Sequence, residues 1–190
     1  MSYSNPTGLV SVTEAFSPYI SFDFVSQQVL AAACNRGSRV HDAVAQDLAG
    51  EFFAMDIDIA GYFAAYQQFA LNIDEIVVIE KRMQSDQYQY TGQVDLVCRM
   101  RGDSGLTMVD WKTSVAASKS WSLQVAAYAH LAEQEGLKIE RAIAVQLGRK
   151  CNFKVNEYRD LAKNFNRFLS ALTTYQYFNP KKVPINWDAL

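Results

Sequence analysis

Gly92-Gln93-Val94-Asp95-Leu96-Val97-Cys98-Arg99-Met100-Arg101-Gly102-Asp103-Ser104-Gly105-Leu106-Thr107-Met108-Val109-Asp110-Trp111-Lys112-Thr113 is the stretch from which the fold is read. Two apolar runs flank a turn, Arg101-Gly102-Asp103-Ser104-Gly105, whose glycines and small polar residues favour a hairpin. Strand residues alternate faces with period two. Over 88–100, Tyr90, Val94, Leu96, Cys98 and Met100 are expected on one face, with Thr91, Gln93, Asp95 and Arg99 on the other. Over 106–113, Asp110 and Lys112 stand two apart and leave the strand on one side. Upstream, Ile76-Val77-Val78-Ile79-Glu80 is a β-branched run that reads as the preceding strand. Three strands with short links predict an antiparallel meander.

Helical patterns surround this meander. Ser11-Val12-Thr13-Glu14 suits a short helical turn, and residues 24–34 read as a helix. Gly37 is expected to interrupt it, with Ser38 capping a second helix to about Leu48. Residues 57–72 form a third helix, and Ser120 caps a fourth to Gln134, stopped by Gly136. Residues 139–147 and 152–156 read as strands. Over 157–175, Tyr158, Leu161, Phe165, Phe168, Leu172 and Tyr175 step by three and four, which predicts a long amphipathic C-terminal helix. The order implies one α/β domain over 1–190, layered on a mixed sheet, with 1–12 as a loose leader and 179–190 as a surface tail.

The chain has 190 residues, 49% hydrophobic and 20% charged, which is globular composition. No apolar run approaches the roughly 20 residues needed to cross a bilayer, and Met1-Ser2-Tyr3-Ser4-Asn5-Pro6 lacks the features of a secretion signal. A cytoplasmic location is expected, in a bacterium or phage-infected host. Cys34, Cys98 and Cys151 are far apart and odd in number, against a disulfide framework or zinc site; all three are expected as buried or half-buried thiols. Net charge is −2, but residues 138–190 hold ten Lys or Arg and four Asp or Glu, leaving eight and sixteen for residues 1–137. An acidic body with a basic C-terminal third suits a protein that gathers cations in one place and phosphates in another.

Charges on apolar strands need a reason, because a buried charge is costly unless paired or bound to metal. Asp95 and Asp110 on neighbouring strands, with Lys112 beside them, make a compact site for a hard cation. Magnesium and manganese favour carboxylate oxygens and keep waters for substrate.

These residues resemble the PD-(D/E)XK nuclease superfamily, and within it the RecB-type exonuclease branch. The motifs are Gly92-Gln93-Val94-Asp95, Val109-Asp110-Trp111-Lys112 and Gln124-Val125-Ala126-Ala127-Tyr128. Upstream, Arg36-Gly37-Ser38-Arg39-Val40-His41 fits the branch's helical histidine, and Glu80 fits its glutamate at the end of the first strand. The resemblance spans residues 37–128 and implies a restriction-endonuclease-like αβββαβ core. It implies that Asp95, Asp110, His41 and the backbone carbonyl of Trp111 ligate magnesium or manganese, as one or two ions. Lys112 would assist the water nucleophile and Glu80 would shape the metal site, with Gln124 and Tyr128 beside it. The reaction implied is hydrolysis of DNA to 5′-phosphate and 3′-hydroxyl ends. Family members with an iron–sulfur cluster need four cysteines, so no cluster is expected here.

Arg159, Lys163 and Arg167 recur every four residues on the expected final helix and form a candidate DNA-backbone ridge, with Lys150, Lys154, Lys181 and Lys182 nearby. Trp121 is expected in the core, and His130 has no matching motif and reads as structural or exposed. A recombination or repair role of phage or mobile-element type is expected by analogy, with a single-strand annealing protein as a candidate partner and oligomerisation open. Two alternatives are an endonuclease or junction resolvase on the same fold and a non-catalytic relative that only binds nucleic acid or protein.

Overall fold

The computed structural model describes residues 7–23 and 25–180. The expected helix start at Phe24, the start of the leader and the tail with Lys181 and Lys182 lie outside the described residues. In chain order the elements are β1 (Val10–Ser11), α1 (Val12–Phe16), α2 (Gln27–Leu48), α3 (Ala60–Ala70), β2 (Ile73–Ser85), β3 (Tyr90–Met100), β4 (Leu106–Lys112), α4 (Ser120–Gln134), β5 (Ile139–Gly148), β6 (Asn152–Tyr158) and α5 (Leu161–Phe178). β2, β3 and β4 form the expected antiparallel meander. β5 then pairs parallel to β4, the crossover running through α4, and β6 returns antiparallel to β5. The result is a central mixed sheet flanked by helices and closed by a long C-terminal helix.

Each face of the sheet carries a core. Val94, Val97 and Met108 pack on one side with α1, α4 and α5, through Phe16, Val125, Leu131 and Phe168. Leu96, Cys98, Val109 and Trp111 pack on the other with α2 and α3, through Val40, Val44, Tyr66 and Phe69. Trp111 is fully buried and meets the rings of Tyr66 and Phe69 edge-on, each at 5.5 Å.

Several local expectations are corrected. Val10 and Ser11 are not a loose leader: they pair parallel with Tyr90 and Thr91. Ser11 and Glu14 make a reciprocal capping box that starts α1. α2 runs unbroken through Gly37 and Ser38, starting from Ser26, whose side chain accepts from the Val29 N–H. One glycine lowers helix propensity by only about 1 kcal/mol, so tertiary packing overrides it. α3 is shorter than 57–72, and β2 is longer than 76–80 at both ends. Glu80 is therefore inside a strand and not at its end. Lys119, not Ser120, caps α4, without a side-chain bond. β6 takes in Tyr158, so α5 begins only at Leu161. Cys34 and Cys151 are exposed and only Cys98 is buried.

The even residues of β3 do not share one face. Tyr90 and Val94 join the α4 side, while Leu96, Cys98 and Met100 join the α2–α3 side. On β2 the matching change falls at Glu80, whose φ of 42° is left-handed, a conformation costly for a residue with a Cβ. Glu80 and Asp95 lie opposite each other, between the pairs Ile79–Leu96 and Lys81–Val94. Both strands therefore rotate at the positions that carry these carboxylates.

Trp111→Ala is expected to destabilise the protein by about 3–5 kcal/mol through cavity formation. The midpoint of urea unfolding measures this, and an unchanged midpoint would contradict the packing described.

Candidate active site

β3 pairs with β4 only over residues 96–99. Beyond Leu96 the strands part, and β1 takes the same edge of β3 further along, since β2 holds the opposite edge. Residues 92–95 face the gap. There Asp95 reaches across the fork, and its Oδ2 accepts the Trp111 N–H at 2.8 Å, replacing a ladder bond. On the other side of the same residue, the Trp111 carbonyl lies 2.9 Å from His41 Nε2 of α2. A carbonyl only accepts, so Nε2 carries the proton and donates. Nδ1 is thereby turned to the carboxylates, 3.4 Å from Asp95 Oδ2 and 3.7 Å from Glu80 Oε1.

Asp110 and Lys112 leave β4 together, away from the Trp111 ring. Lys112 Nζ lies 2.6 Å from Asp110 Oδ2 and donates to Gln124 Oε1 at 2.9 Å. Gln124 Nε2 in turn donates to the Tyr128 hydroxyl at 3.1 Å. The contact between Lys112 and Asp110 lies off hydrogen-bonding directions, so the buried Oδ2 is ion-paired without a hydrogen bond. Gly92 lets Tyr128 close in: a Cβ there would stand 2.5 Å from Tyr128 Cε1 and 3.1 Å from Val12 Cγ2.

His41, Glu80, Asp95, Asp110, Lys112, Gln124 and Tyr128 all line one cavity of about 600 Å³. The motif residues, from the three strands of the meander and two helices, thus meet in one place. Arg82 and Gln93 line it too, and sequence reasoning missed them. Gln93 Oε1 accepts from Arg82 Nη2 at 3.1 Å, and its Nε2 donates to Glu80 Oε2 at 2.7 Å. The signal was the strand period: Arg82 stands two beyond Glu80, and Gln93 two before Asp95.

None of the basic-ridge residues lines this cavity. Arg159 precedes α5 and is ion-paired with Glu157, so the ridge loses its first member on the helix. Arg167 donates to Asn164 Oδ1 at 2.9 Å. Lys150 lies between β5 and β6, Lys154 on exposed β6 and Lys163 on the exposed face of α5. Trp121 is buried in the core as expected. His130 is structural, with Nδ1 2.8 Å from the Tyr90 hydroxyl and its ring stacked on Phe165 at 4.0 Å.

The buried charges perturb one another. Burial works against a charged His41, but Asp95 and then Glu80 outweigh it and hold its pKa well above the usual value. Burial likewise opposes a charged Asp95, yet His41, Lys112 and the Trp111 N–H keep it below the usual carboxylate range. Glu80 is raised, chiefly by burial. Burial pushes Asp110 up to about 6; Lys112 opposes this and Asp95 adds to it. Tyr128 is raised by burial and then by Asp110 and Asp95.

Four carboxylates (Glu14, Glu80, Asp95 and Asp110) and an imidazole line one small cavity, against one lysine and one arginine, and suit a bound cation. His41, Glu80 and Asp95 each offer a ligand atom, and these atoms lie within 4.8 Å of one another. The buried Asp110 Oδ2 lacks a hydrogen-bond partner in the same cavity. This donor set fits a divalent ion of the magnesium or manganese type.

The layered sheet and the acidic fork define a class, the nucleases built on a restriction-endonuclease-like core. The chain belongs to the PD-(D/E)XK nuclease superfamily, whose model matches residues 25–174. Among solved structures, an exonuclease candidate from Eubacterium rectale is similar at 11% identity and a TM-score of 0.50, over 92% of this chain and 87% of that one. An alkaline exonuclease from Laribacter hongkongensis aligns at 12% identity and 0.44, over 90% and 92%. The protein SSO0001 aligns at 16% identity and 0.49, over 93% and 79%. At 11% identity the likeness to the Eubacterium rectale protein is one of fold alone. Among curated proteins none matches the chain. No helix among the described residues is long and apolar enough to cross a membrane.

Asp110 has a pKa of about 6 in the fold, above its ordinary value of 3.8. It therefore binds its proton more tightly folded than unfolded. Its contribution favours the folded state at low pH and is lost as pH rises from about 4 through about 6. Asp110→Asn is expected to raise the melting temperature of metal-free protein at pH 8 more than at pH 4.5. Equal shifts in thermal melts at the two pH values would contradict the assignment.

Proposed function

We propose that this nuclease is a divalent-metal-dependent deoxyribonuclease of the RecB-like branch, acting as an exonuclease on DNA ends. The observation that carries the reading is the convergence of His41, Glu80, Asp95, Asp110 and Lys112 on one cavity at the β3–β4 fork. Asp95, Glu80 and His41, through Nδ1, would hold the ion, and the buried Asp110 Oδ2, ion-paired with Lys112 but without a hydrogen bond, would complete its shell. The Trp111 carbonyl, read from the motif as a ligand, is engaged by His41 and serves first to aim that ring. Glu80, read as shaping the site, stands among the ligand atoms.

A bound divalent ion would neutralise charge on the phosphate and acidify water. Lys112 is the one lysine lining the cavity, and it would give its proton-rich Nζ to a phosphate oxygen or hold the attacking water in line. Gln124 fixes that ammonium: Tyr128 accepts from the amide N–H, which leaves the amide oxygen facing Lys112. Gln93 does the same for Glu80, with Arg82 holding the amide oxygen. Arg82 also faces the cavity, where a guanidinium suits a phosphate. A role in recombination or repair, alongside an annealing protein, is part of this proposal.

The test uses end-labelled linear DNA and covalently closed circles with magnesium, manganese or chelator. Linear DNA is expected to be degraded, circles to resist and chelator to stop the reaction. Cleavage of circles would make the enzyme an endonuclease. Asp95→Ala, Asp110→Ala and Lys112→Ala are each expected to lower the rate about a hundredfold or more, since such groups supply several kcal/mol in the transition state. Their circular dichroism should match the parent. Full activity in folded Asp110→Ala would refute the site.

The metal ligands must shed protons to bind, so manganese affinity is expected to fall as pH drops through about 6, where Asp110 becomes protonated. Calorimetric titration at pH 5.5 and pH 7.5 measures this, and pH-independent affinity would contradict it.

A further inference from the structure

We propose that the groove beside the active-site cavity is a subsite for unpaired DNA, holding the bases and phosphates of a single strand on its way into or out of the cavity. The proposal rests on the nuclease reading above and adds a strand preference to it. The groove, about 1380 Å³, lies between residues 17–22, the loop 116–119, the first turn of α4 and the middle of α5. It shares two walls with the active site. α1 lends Val12, Thr13 and Glu14 to the cavity and Phe16 to the groove; α4 lends Gln124 and Tyr128 to the cavity and Ser120 and Leu123 to the groove. Tyr158 lines the groove close enough to Asp110 for that carboxylate to add to burial in raising its pKa.

The lining matches the chemistry of a single strand. Tyr19 and Phe22 are 62% and 50% exposed, and neither ring stacks on another among the described residues. Free aromatic faces stack on bases of any sequence, but only on bases not already covered by duplex neighbours. Lys119 and Arg167 line the groove, no Asp or Glu does, and neither cation is paired with a carboxylate among the described residues. In a chain of net charge −2, a large groove with cations and no carboxylate complements phosphates. Its size admits several nucleotides, whereas the active-site cavity is under half as large.

Fluorescence anisotropy with a labelled oligothymidylate and a blunt duplex of equal length, in chelator, tests the proposal on the full chain. The single strand should bind more tightly than the duplex. Tyr19→Ala with Phe22→Ala should weaken single-strand binding about tenfold and leave duplex binding nearly unchanged. Lys119→Glu with Arg167→Glu should weaken binding and flatten its salt dependence. All four side chains are exposed, and circular dichroism checks that both variants fold. Unchanged oligothymidylate affinity in both variants, while the parent still cleaves DNA, overturns the subsite and leaves the nuclease reading standing. Aromatic-dependent binding by a parent that cleaves no DNA would uphold the subsite and refute the nuclease. Unchanged affinity with a lower mass by light scattering would make the groove an interface between copies, and would also overturn the proposal.

Discussion

The peptide of Trp111 is the joint on which the site is hung. Its N–H is held by Asp95 across the fork from β3, its carbonyl lies on His41 of α2, and its ring is locked between Tyr66 and Phe69. One residue thus ties a strand, a helix and a core together. A buried carboxylate that accepts a backbone N–H is held in one orientation, and the charge-assisted bond is stronger than the neutral ladder bond it replaces. Move this strand by one residue and Asp110 and Lys112 would enter the core while Trp111 would face the cavity.

Around that joint the fold accepts an electrostatic cost. Glu80 and Asp110 are both pushed toward their neutral forms by burial, and His41 carries charge only because carboxylates face it. Glu80 also occupies a left-handed backbone conformation in mid-strand. Strained and over-charged groups persist only where the surroundings over-determine them, and such groups concentrate where function needs preorganisation. Here the surroundings are two cores, one on each face of the sheet, and two amides. Gln93 and Gln124 each have one end fixed by a donor-only or accepting partner, so the other end is aimed at Glu80 or Lys112. A cation in the proposed position would relieve the excess negative charge. The rigid frame is thereby a store of binding energy for it.

Much of the fold was legible locally. The meander, the α4 crossover and the capping box at Ser11 and Glu14 follow from period-two alternation, β-branched runs and cap chemistry. Misreadings arose where tertiary packing outweighed a local signal. Gly37 looked like a helix break, but the rest of α2 carries it. Ser120 looked like a cap, but the chain enters α4 through Lys119. The even residues of β3 looked like one face, but the strand rotates near Asp95, and no residue type announces a rotation. Arg159 looked like part of a helical ridge, but β6 extends to Tyr158 and pairs with β5.

The sequence by itself determined which residues could do chemistry. A carboxylate or lysine on an apolar strand is improbable without a reason, and its spacing sets its side of the strand. Tertiary structure alone decided the site's inner order: that Glu80 stands with His41 and Asp95, that Gln93 and Arg82 brace it, and that a groove lies alongside. The physical reason is distance. Spacing along a strand sets neighbours within a few residues, whereas His41 meets Trp111 across 70 positions, through the packing of α2 on the sheet.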